Sequence, residues 1–510
     1  MQYHGKFVPL NVQKTIHNQQ TKTSKDMTEN NVLKGLKPEG VFKFFGEILS
    51  VPRPSKHEAK MTAYLLSWAE ARNLEHQRDE IGNVIIRKAA TAGYENKPWV
   101  CLQSHMDMVC EKNSDKVFDF EKDSIVPRIE GEWLMAEGTT LGADDGIGVA
   151  TALAILDAND IEHGPIECLF TVDEETGLSG AGALSPDALK SRILLNLDSE
   201  DEGEIFIGCA GGVDTLAKLP YEKEDTPQGA YFRIYVKGLK GGHSGDDINK
   251  GLACANKLLN RILWAADKEM DMRLACFDGG NLRNAIAREA YAEVVVMEQE
   301  AEDLKQLVLT YAQDLKNEFR STEPNMQIGI EAIAKPAFVV DMLSQDNLLN
   351  VLYACPHGVL AMSREISGFV ETSTNLASVK MKEDHILITT SQRSSVESAK
   401  EAAASRVESC FLLAGADVEH TDGYPGWSPN TNSHVLSVAV ESYKRLFGKE
   451  PVVRAIHAGL ECGLIGEKYQ GMDMISYGPT LRGVHSPEER LEIATVELFW
   501  RHTLDILKNI

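Results

Sequence analysis

The sequence lacks several features that mark whole classes of protein. No apolar run approaches the ~18 residues that a membrane-spanning helix requires. The first thirty residues are polar and mixed in charge, without the apolar core and small-residue cleavage site of a secretory signal. We therefore expect no membrane partner, and we interpret residues 1–30 as a disordered extension.

Cysteine and positive charge are also scarce. The nine cysteines form no CxxC pair and are odd in number, which is typical of reduced, buried thiols in a reducing compartment such as the cytoplasm. The formal net charge is −24, whereas binding to nucleic-acid phosphates requires a basic surface. We expect a cytoplasmic protein with no nucleic-acid partner.

A chain of 510 residues predicts two domains. Across 31–212, apolar runs such as IECLFTV alternate with amphipathic stretches such as GIGVATALAILDAND, which is typical of an α/β sheet with crossover helices. Half-buried strands beside helices such as INKGLACANKLLNRILWAA across 213–424 favour an α+β unit with a mostly antiparallel sheet, and its two similar halves indicate a duplication. The α/β pattern returns across 425–510, so the prediction is a discontinuous α/β domain with an inserted α+β domain.

Acidic and histidine residues follow the apolar runs of the α/β segments. In open α/β sheets, ligands bind at the carboxyl ends of the strands. Imidazoles combined with carboxylates favour zinc, cobalt or manganese, and the absence of cysteine from the set argues against a structural zinc site. The residues that follow the runs are His105, Asp107, Asp173, Glu174, Glu175, Asp198 and His485, and one further acidic pair, Asp144 and Asp145, lies just before a helix.

One carboxylate that bridges two metal ions, with two further ligands on each ion, requires five protein groups. Two of the acids that are left over have natural roles beside the ligands. Asp107 lies two residues after His105 in an extended segment, so it can face the same side and accept a ring N–H. Of the adjacent acids in D-E-E-T-G, one can bind metal while its neighbour holds and deprotonates the attacking water.

Several of these residues also fit purely structural roles. We expect Asp145 to cap the following helix, and Ser486, Pro487 and Glu489 fit the first turn of a helix with a capping box. The glycines around His243 fit a hairpin turn, and Arg393 fits a surface arginine. We assign no role to His457 or Cys462.

The motifs occur in an order that resembles the di-zinc aminoacylase and dipeptidase superfamily. They are H-x-D after a strand, G-A-D-D-G, D-E-E-x-G-x-x-G-A, N-L-D-S-E, G-G-H-S-G and G-V-H-S-P. The long insertion and the segments G-G-N-x-R-N-A-I-A-R and H-A-G-L-E-C-G are similar to those of the aminoacyl-histidine (Xaa-His, carnosinase-like) dipeptidases. The resemblance covers essentially the whole chain after the N-terminal extension.

The resemblance implies a metallo-dipeptidase with a discontinuous catalytic domain (31–212 and 425–510) and an inserted lid domain (213–424). It implies hydrolysis of dipeptides with free termini, including Xaa-His dipeptides such as β-alanyl-histidine. Two divalent ions, zinc with cobalt or manganese as alternatives, would bind to His105, Asp144, Glu175, Asp198 and His485, with Asp144 as the bridge.

The resemblance also assigns roles around the metal ions. Glu174 is the general base, Asp107 is the partner of His105, and His243 of the lid donates to the oxyanion. The residues expected to hold substrate are Asn284, Arg393 and Gly459. Many superfamily members have lysine after the Asp-Asp pair, where this chain has Gly146.

Two other functions stay open on the sequence. An N-acyl amino acid deacylase would use the same metal site on a different acyl group, and a non-catalytic binding protein could keep the fold. The retention of Glu174 and Asp107 beside all five ligands argues against a binding protein. Either a monomer or a homodimer is compatible with the sequence.

Overall fold

Residues 30–510 of the chain are described by a computed structural model. The predicted N-terminal extension therefore lies outside the described residues, apart from position 30, where a short 3-10 helix (Asn30–Leu33) begins. Within the described part of the chain, no helix is both long and apolar enough to span a bilayer.

The α-helices differ in length from single turns to more than four turns. A second 3-10 helix, Glu298–Glu300, precedes the longest of them. In chain order the helices are α1 (Glu39–Leu49), α2 (Ala59–Glu70), α3 (Ala143–Asp157), α4 (Glu174–Gly177), α5 (Ser179–Ala183), α6 (Ala255–Glu269), α7 (Ala301–Glu318), α8 (Met342–Ala354), α9 (Glu397–Leu413), α10 (His434–Phe447), α11 (Glu461–Lys468) and α12 (Ile493–Asn509).

The strands form sheets in both parts of the chain. In chain order they are β1 (Glu75–Arg78), β2 (Val84–Lys88), β3 (Val100–His105), β4 (Pro127–Glu130), β5 (Trp133–Ala136), β6 (Ile166–Thr171), β7 (Ile193–Asn196), β8 (Glu204–Cys209), β9 (Gly211–Pro220), β10 (Lys223–Glu224), β11 (Ala230–Lys237), β12 (Arg273–Gly279), β13 (Ala290–Val296), β14 (Gln327–Ala332), β15 (Val339–Val340), β16 (Gly358–Met362), β17 (Val370–Met381), β18 (His385–Ser394), β19 (Asp417–His420), β20 (Val452–Ile456), β21 (Asp473–Ser476), β22 (Leu481–Arg482) and β23 (Arg490–Glu492).

The chain divides into two compact units, and the first is discontinuous. It contains the described residues up to Ile205 together with Asn432–Val453 and Lys468–Ile510. Its main sheet has the order β1-β2-β6-β3-β7-β21-β8-β20. Two of the boundaries between the two units fall inside strands β8 and β20. A smaller sheet has the order β22-β23-β5-β4.

The central strands of the main sheet are parallel. Strand β3 pairs in parallel with β6 and with β7, and β21 pairs in parallel with β7. Every residue of β3 and β6 is buried, as expected for parallel strands covered on both faces. Because parallel neighbours end at the same edge, the segments after these four strands come together there.

The second unit contains Phe206–Thr431 and Arg454–Glu467. Its nine-stranded sheet has the order β14-β11-β13-β12-β17-β18-β9-β19, with β16 also paired to β17. All of these pairings are antiparallel, and apolar side chains of α6 such as Leu259 and Ile262 share a core with sheet residues such as Phe277. The predicted α/β architecture with an inserted α+β part is confirmed.

One detail differs from the sequence predictions. The stretch INKGLACANKLLNRILWAA was predicted to be helical throughout, but α6 begins only at Ala255, because the chain first turns through Gly251 with a φ of +68°. The two halves predicted as a duplication both add strands to one continuous sheet, β11 to β14 from the first half and β16 to β19 from the second. The predicted catalytic and lid domains, bounded at 212 and 424, stay predictions.

Candidate active site

His105 ends strand β3 and is buried in the first unit. Its Nδ1 lies 3.3 Å from Asp107 Oδ1, and its Nε2 lies 3.0 Å from Asp144 Oδ1 and 3.6 Å from Asp198 Oδ1. Burial alone would lower the pKa of His105, but the charges and hydrogen bonds of these three carboxylates raise it well above its usual range. The imidazole therefore lies at a point of strongly negative potential that favours a cation.

Asp144 is one of the non-helical residues at the start of α3, at the end of the loop that leads into this helix, and its two carboxylate oxygens face different imidazoles. Oδ1 is 3.0 Å from Nε2 of His105, and Oδ2 is 3.2 Å from Nε2 of His485. Burial would raise the pKa of Asp144, but the two histidines hold it well below its ordinary value. This placement between two imidazoles is the arrangement that a bridging carboxylate requires.

Glu175 and His485 form the other side of the same cluster. The Nε2 atom of His485 is 3.0 Å from Glu175 Oε2, and hydrogen bonds to Asp144 and Glu175 raise the pKa of His485 to about 11. The second oxygen of Glu175, Oε1, is buried, and no described residue forms a hydrogen bond to it. A buried carboxylate oxygen without a donor carries a desolvation cost that a bound cation would remove.

The five predicted ligands therefore come together within the first unit. Ligand atoms of His105, Asp144 and Glu175 all lie within 4.8 Å of one another, and His485 and Asp198 contact this group. Burial raises the pKa of Asp198 well above its usual range against the charge and hydrogen bond of His105, and the nearby charges of Asp144 and Asp145 add to the rise.

The cluster fits divalent cations in both donor type and spacing. Its donors are imidazole nitrogens and carboxylate oxygens, the ligands of catalytic zinc sites. Two donors bonded to one tetrahedral zinc ion at about 2.1 Å are roughly 3.4 Å apart. The observed separations are close to that distance. They are 3.0 Å between His485 and Glu175, 3.2 Å between His485 and Asp144, and 3.6 Å between His105 and Asp198.

Asp107 connects the His105 ring to the two glutamates after β6. Its carboxylate accepts the backbone N–H of Glu174 at 3.1 Å and of Glu175 at 3.3 Å, and the hydroxyl of Ser55 donates to it at 2.8 Å. Asp107 is fully buried. It therefore orients the imidazole and also fixes the backbone from which both glutamates project.

Asp145, the neighbour of Asp144, has the structural role that was predicted for it. Its Oδ1 accepts the backbone N–H of Gly148 at 3.1 Å, and the backbone at both aspartates is non-helical, so the regular turns of α3 begin after them. The predicted capping role of Asp145 is confirmed.

The predicted capping box at Ser486, Pro487 and Glu489 is wrong, because residues 486–489 form turns and no helix begins there. The buried carboxylate of Glu489 instead accepts backbone N–H groups from the loop that carries Asp144. The donors are Leu141 at 2.7 Å, Gly142 at 2.9 Å, Ala143 at 2.7 Å and Asp144 at 3.4 Å. Glu489 thus holds the loop that carries Asp144. The one sign of this role in the sequence was its position four residues after His485.

Arg53 is also buried near this loop, and no feature of the sequence singles it out. Its guanidinium donates to the carbonyl of Met106 at 3.2 Å and to the carbonyls of Asp107 and Gly142. It therefore joins the segment after β3 to the loop before α3. Burial lowers the pKa of Arg53, while the charges of Asp107 and Glu489 raise it.

Gly146, where the chain departs from the superfamily pattern, lies against the same arginine. A Cβ atom at Gly146 would be 2.6 Å from Nη2 of Arg53 and 3.2 Å from a ring carbon of Phe45. The guanidinium therefore occupies the space that a side chain at this position would need. The positive charge near the Asp144–Asp145 pair of this chain therefore belongs to Arg53, because the chain lacks the lysine that follows the pair in many superfamily members.

The other predicted site residues lie in the second unit. His243 precedes a turn in which its Nδ1 accepts the backbone N–H groups of Gly245 at 3.3 Å and Asp246 at 3.2 Å. Burial, followed by the charge of Arg393, lowers the pKa of His243. Because Nδ1 is the acceptor, the neutral imidazole carries its proton on Nε2 and can act as a hydrogen-bond donor.

Arg393, Asn284 and Gly459 are connected through two neighbours. The buried Arg393 donates from Nε to the Ser244 hydroxyl at 3.3 Å and from Nη1 to the Tyr424 hydroxyl at 2.9 Å. The carbonyl of Asn284 accepts the Ser244 N–H at 2.8 Å, and a Cβ at Gly459 would be 2.8 Å from the Tyr424 ring. The three predicted substrate residues thus belong to one group within the second unit.

His457, which the sequence left without a role, is buried in this unit. Its Nε2 lies 2.7 Å from the Ser373 hydroxyl oxygen, and its ring meets Phe369 edge-on at 6.1 Å. Burial, followed by the charge of Arg393, lowers the pKa of His457 to about 3, so the ring is neutral.

Imidazole and carboxylate groups at the carboxyl edge of a parallel sheet, with a further acid beside them, are an arrangement typical of metal-dependent hydrolases. The comparison with known families is specific on this point. The chain belongs to the peptidases described as Peptidase family M20/M25/M40, whose sequence profile matches residues 101–508. The protein is therefore a peptidase.

Similar proteins cover nearly the whole chain. The cytosol non-specific dipeptidase of Escherichia coli strain K12 is 46% identical over 479 residues, which are 94% of this chain and 99% of that protein. The crystal structure of aminoacylhistidine dipeptidase from Vibrio alginolyticus superposes with a TM-score of 0.89 at 43% identity and covers 94% of this chain and 98% of that one.

More distant solved structures share the fold. Aminopeptidase PepT from Bacillus cereus superposes with a TM-score of 0.54 at 19% identity, with 93% of this chain and 98% of that chain covered. The fold predicted from the motif order is confirmed, as is the recognition of the family.

Proposed function

We propose that this chain hydrolyses dipeptides with free amino and carboxyl termini, including Xaa-His dipeptides such as β-alanyl-histidine. The observation that carries this proposal is the carboxylate of Asp144 between the imidazoles of His105 and His485. The E. coli and Vibrio relatives support the dipeptide substrate, because they are named as dipeptidases and match nearly from end to end.

Two divalent ions, preferably zinc with cobalt or manganese as substitutes, would be held by the five clustered ligands. His105 and Asp198 would hold one, Glu175 and His485 the other, and Asp144 would contact both. When bound, such ions acidify a water molecule and polarise the scissile carbonyl. The orphan oxygen of Glu175 and the crowded charge around Asp198 support this assignment.

The protein's own residues then move the proton and hold the substrate. Glu174 accepts a proton from the attacking water and returns it to the leaving amine. The hydrogen bond from its N–H to Asp107 keeps the start of α4 in a fixed position. His243 donates from Nε2 to the developing oxyanion, while Asn284, Arg393 and Gly459 hold the substrate.

Residues 213–424, which contain His243, Asn284 and Arg393, are proposed to act as the lid domain. The name of the E. coli relative supports a cytoplasmic location, as do the nine cysteines, which form no disulfide in the described part of the chain. No partner other than the peptide substrate is proposed, and either a monomer or a homodimer is compatible with this function.

The full-length relatives do not favour the deacylase alternative, since both are named as dipeptidases. A substrate panel tests the proposal. Purified enzyme loaded with zinc, cobalt or manganese is assayed on glycyl-histidine, β-alanyl-histidine, alanyl-alanine and their N-acetylated forms. We expect cleavage of the unblocked dipeptides and little cleavage of the N-acetyl compounds. Hydrolysis of the N-acetyl compounds with no cleavage of the unblocked dipeptides would contradict it.

A further inference from the structure

The ring of Tyr424 occupies a slot in the second unit that two glycines create. A Cβ at Gly212 would be 2.8 Å from the ring and its hydroxyl oxygen, and one at Gly459 would be 2.8 Å from Cε2 of the ring. The backbone of Tyr424 exchanges two hydrogen bonds with Gly212, and the Lys400 ammonium donates to its carbonyl at 2.8 Å. The position of the phenol is therefore fixed by close contact with the two glycines and by the hydrogen bonds of its backbone.

The hydroxyl of Tyr424 is an acceptor on one side and a potential donor on the other. Its oxygen accepts from Nη1 of Arg393 at 2.9 Å. Among the described residues, this is the only hydrogen bond of the Tyr424 hydroxyl. The proton of the hydroxyl therefore has no acceptor among those residues. Burial raises the pKa of Tyr424, so the phenol stays protonated at neutral pH and keeps that proton.

Arg393 itself is a buried cation without a counter-ion. Its hydrogen bonds go to the neutral hydroxyls of Ser244 and Tyr424. In the part of the chain that the structure describes, no carboxylate lies within ion-pair distance of it. Two nearby groups, His457 and His243, have lowered pKa values, to which the charge of Arg393 contributes. A buried guanidinium in this setting favours an anionic ligand.

We propose that Tyr424 is a specificity-determining residue whose hydroxyl donates a hydrogen bond to the free carboxylate of the substrate that Arg393 binds. This inference rests on the proposed dipeptidase function. One carboxylate oxygen meets the guanidinium, and the other accepts the phenol proton. A terminal amide also has one carbonyl oxygen for the arginine, but its NH₂ group cannot accept from the phenol. Tyr424 therefore selects carboxylates against amides.

The test is Tyr424→Phe, which removes the hydroxyl and keeps the ring in its glycine slot. Kinetics are measured on alanyl-histidine and on alanyl-histidinamide, with competitive inhibition by free histidine and histidinamide as a readout of binding alone. We expect kcat/KM for the free dipeptide to fall roughly 10- to 100-fold, the range for a hydrogen bond to a charged group. The amide should change less than about 3-fold, because it makes no such bond.

Tyr221→Phe is the matched control, because its hydroxyl bonds to the carbonyl of Lys382 at 2.7 Å in the same unit. It should leave the carboxylate-to-amide ratio unchanged. Equal losses on both substrates, or an unchanged preference, in a Tyr424→Phe protein of normal melting temperature would overturn the role of Tyr424 and leave dipeptidase activity standing. Failure of the wild-type enzyme to cleave either substrate would instead overturn the proposed function, and this inference with it.

Discussion

At the scale of single residues, two neighbouring glutamates have different surroundings. The backbone N–H groups of Glu174 and Glu175 both donate to Asp107, so the start of α4 is held rigidly. The side chain of Glu175 reaches His485, 3.0 Å away, and belongs to the cluster of ligands. Glu174 is thereby left for the proton transfer that the proposed reaction requires.

The variant Glu174→Gln tests this division of roles. We expect kcat to fall by roughly 10²- to 10⁴-fold, because the amide cannot accept the proton from water. The metal content, measured by elemental analysis, should match that of the wild type, since Glu174 is not a proposed ligand. Near-normal turnover, or loss of metal together with activity, would contradict the assignment.

A second residue-scale prediction concerns His243, whose Nδ1 accepts two backbone N–H groups and leaves Nε2 as the donor. His243→Ala should lower kcat by roughly 10²- to 10³-fold with a smaller change in KM, because an oxyanion donor acts mainly in the transition state. The control is His385→Ala, which removes a histidine paired to the exposed Asp384. A loss confined to KM would identify His243 as a substrate contact only.

At the scale of elements, the loop before α3 is held from two sides by opposite charges. The Glu489 carboxylate accepts the N–H groups of residues 141–144, and the Arg53 guanidinium donates to the Gly142 carbonyl. Both side chains are buried, and the charge of Glu489 raises the pKa of Arg53 against the larger effect of burial. The position of Asp144 therefore depends on the charged side chains of Glu489 and Arg53. These side chains bond to the backbone of the loop and not to the side chains of the proposed ligands.

Glu489→Gln should weaken metal binding by about 10- to 100-fold, the usual cost of losing a group that orients a ligand. The amide nitrogen would face backbone N–H donors that the carboxylate now satisfies. The measurement is titration of metal-free protein with zinc against a competing chelator. Glu488→Gln is the matched control, because it is the adjacent glutamate and is exposed. Equal affinities for both variants would show that Glu489 does not position the loop.

At the scale of the whole molecule, the ligands come from distant parts of the chain. Asp144 and His485 are 341 residues apart in sequence, yet their side chains are 3.2 Å apart. A bound ion therefore connects the two ends of the discontinuous first unit. Because an ion that binds only the folded state stabilises it by mass action, metal content and thermal stability should change together.

Metal removal tests this expectation. Chelation should abolish dipeptide hydrolysis and lower the melting temperature, and zinc, cobalt or manganese should restore both. Elemental analysis of the restored protein should find up to two ions per chain. Full activity in a demonstrably metal-free sample would contradict the proposed chemistry as a whole.

The sequence predicted which imidazoles and carboxylates come together in one cluster, because local order carries that information. His105, Glu175 and Asp198 each follow a buried run, and parallel strands bring such positions to one edge whatever the details of packing. The capping role of Asp145 is equally local, since its partner Gly148 is three residues away. Alternating strand and helix patterns likewise predicted the architecture of both units.

Only the tertiary structure decided the roles of Glu489, Arg53 and Tyr424. Glu489 fitted a capping box by spacing, but its hydrogen-bond partners lie more than 340 residues away. Arg53 contacts carbonyls that any residue supplies, and the Tyr424 slot depends on two glycines, Gly212 and Gly459, that are remote from each other in the chain. Every residue has backbone N–H or carbonyl groups, and a glycine has no side chain that could mark a contact. Contacts of these kinds therefore have no recognisable pattern in the sequence and become visible only in the folded chain.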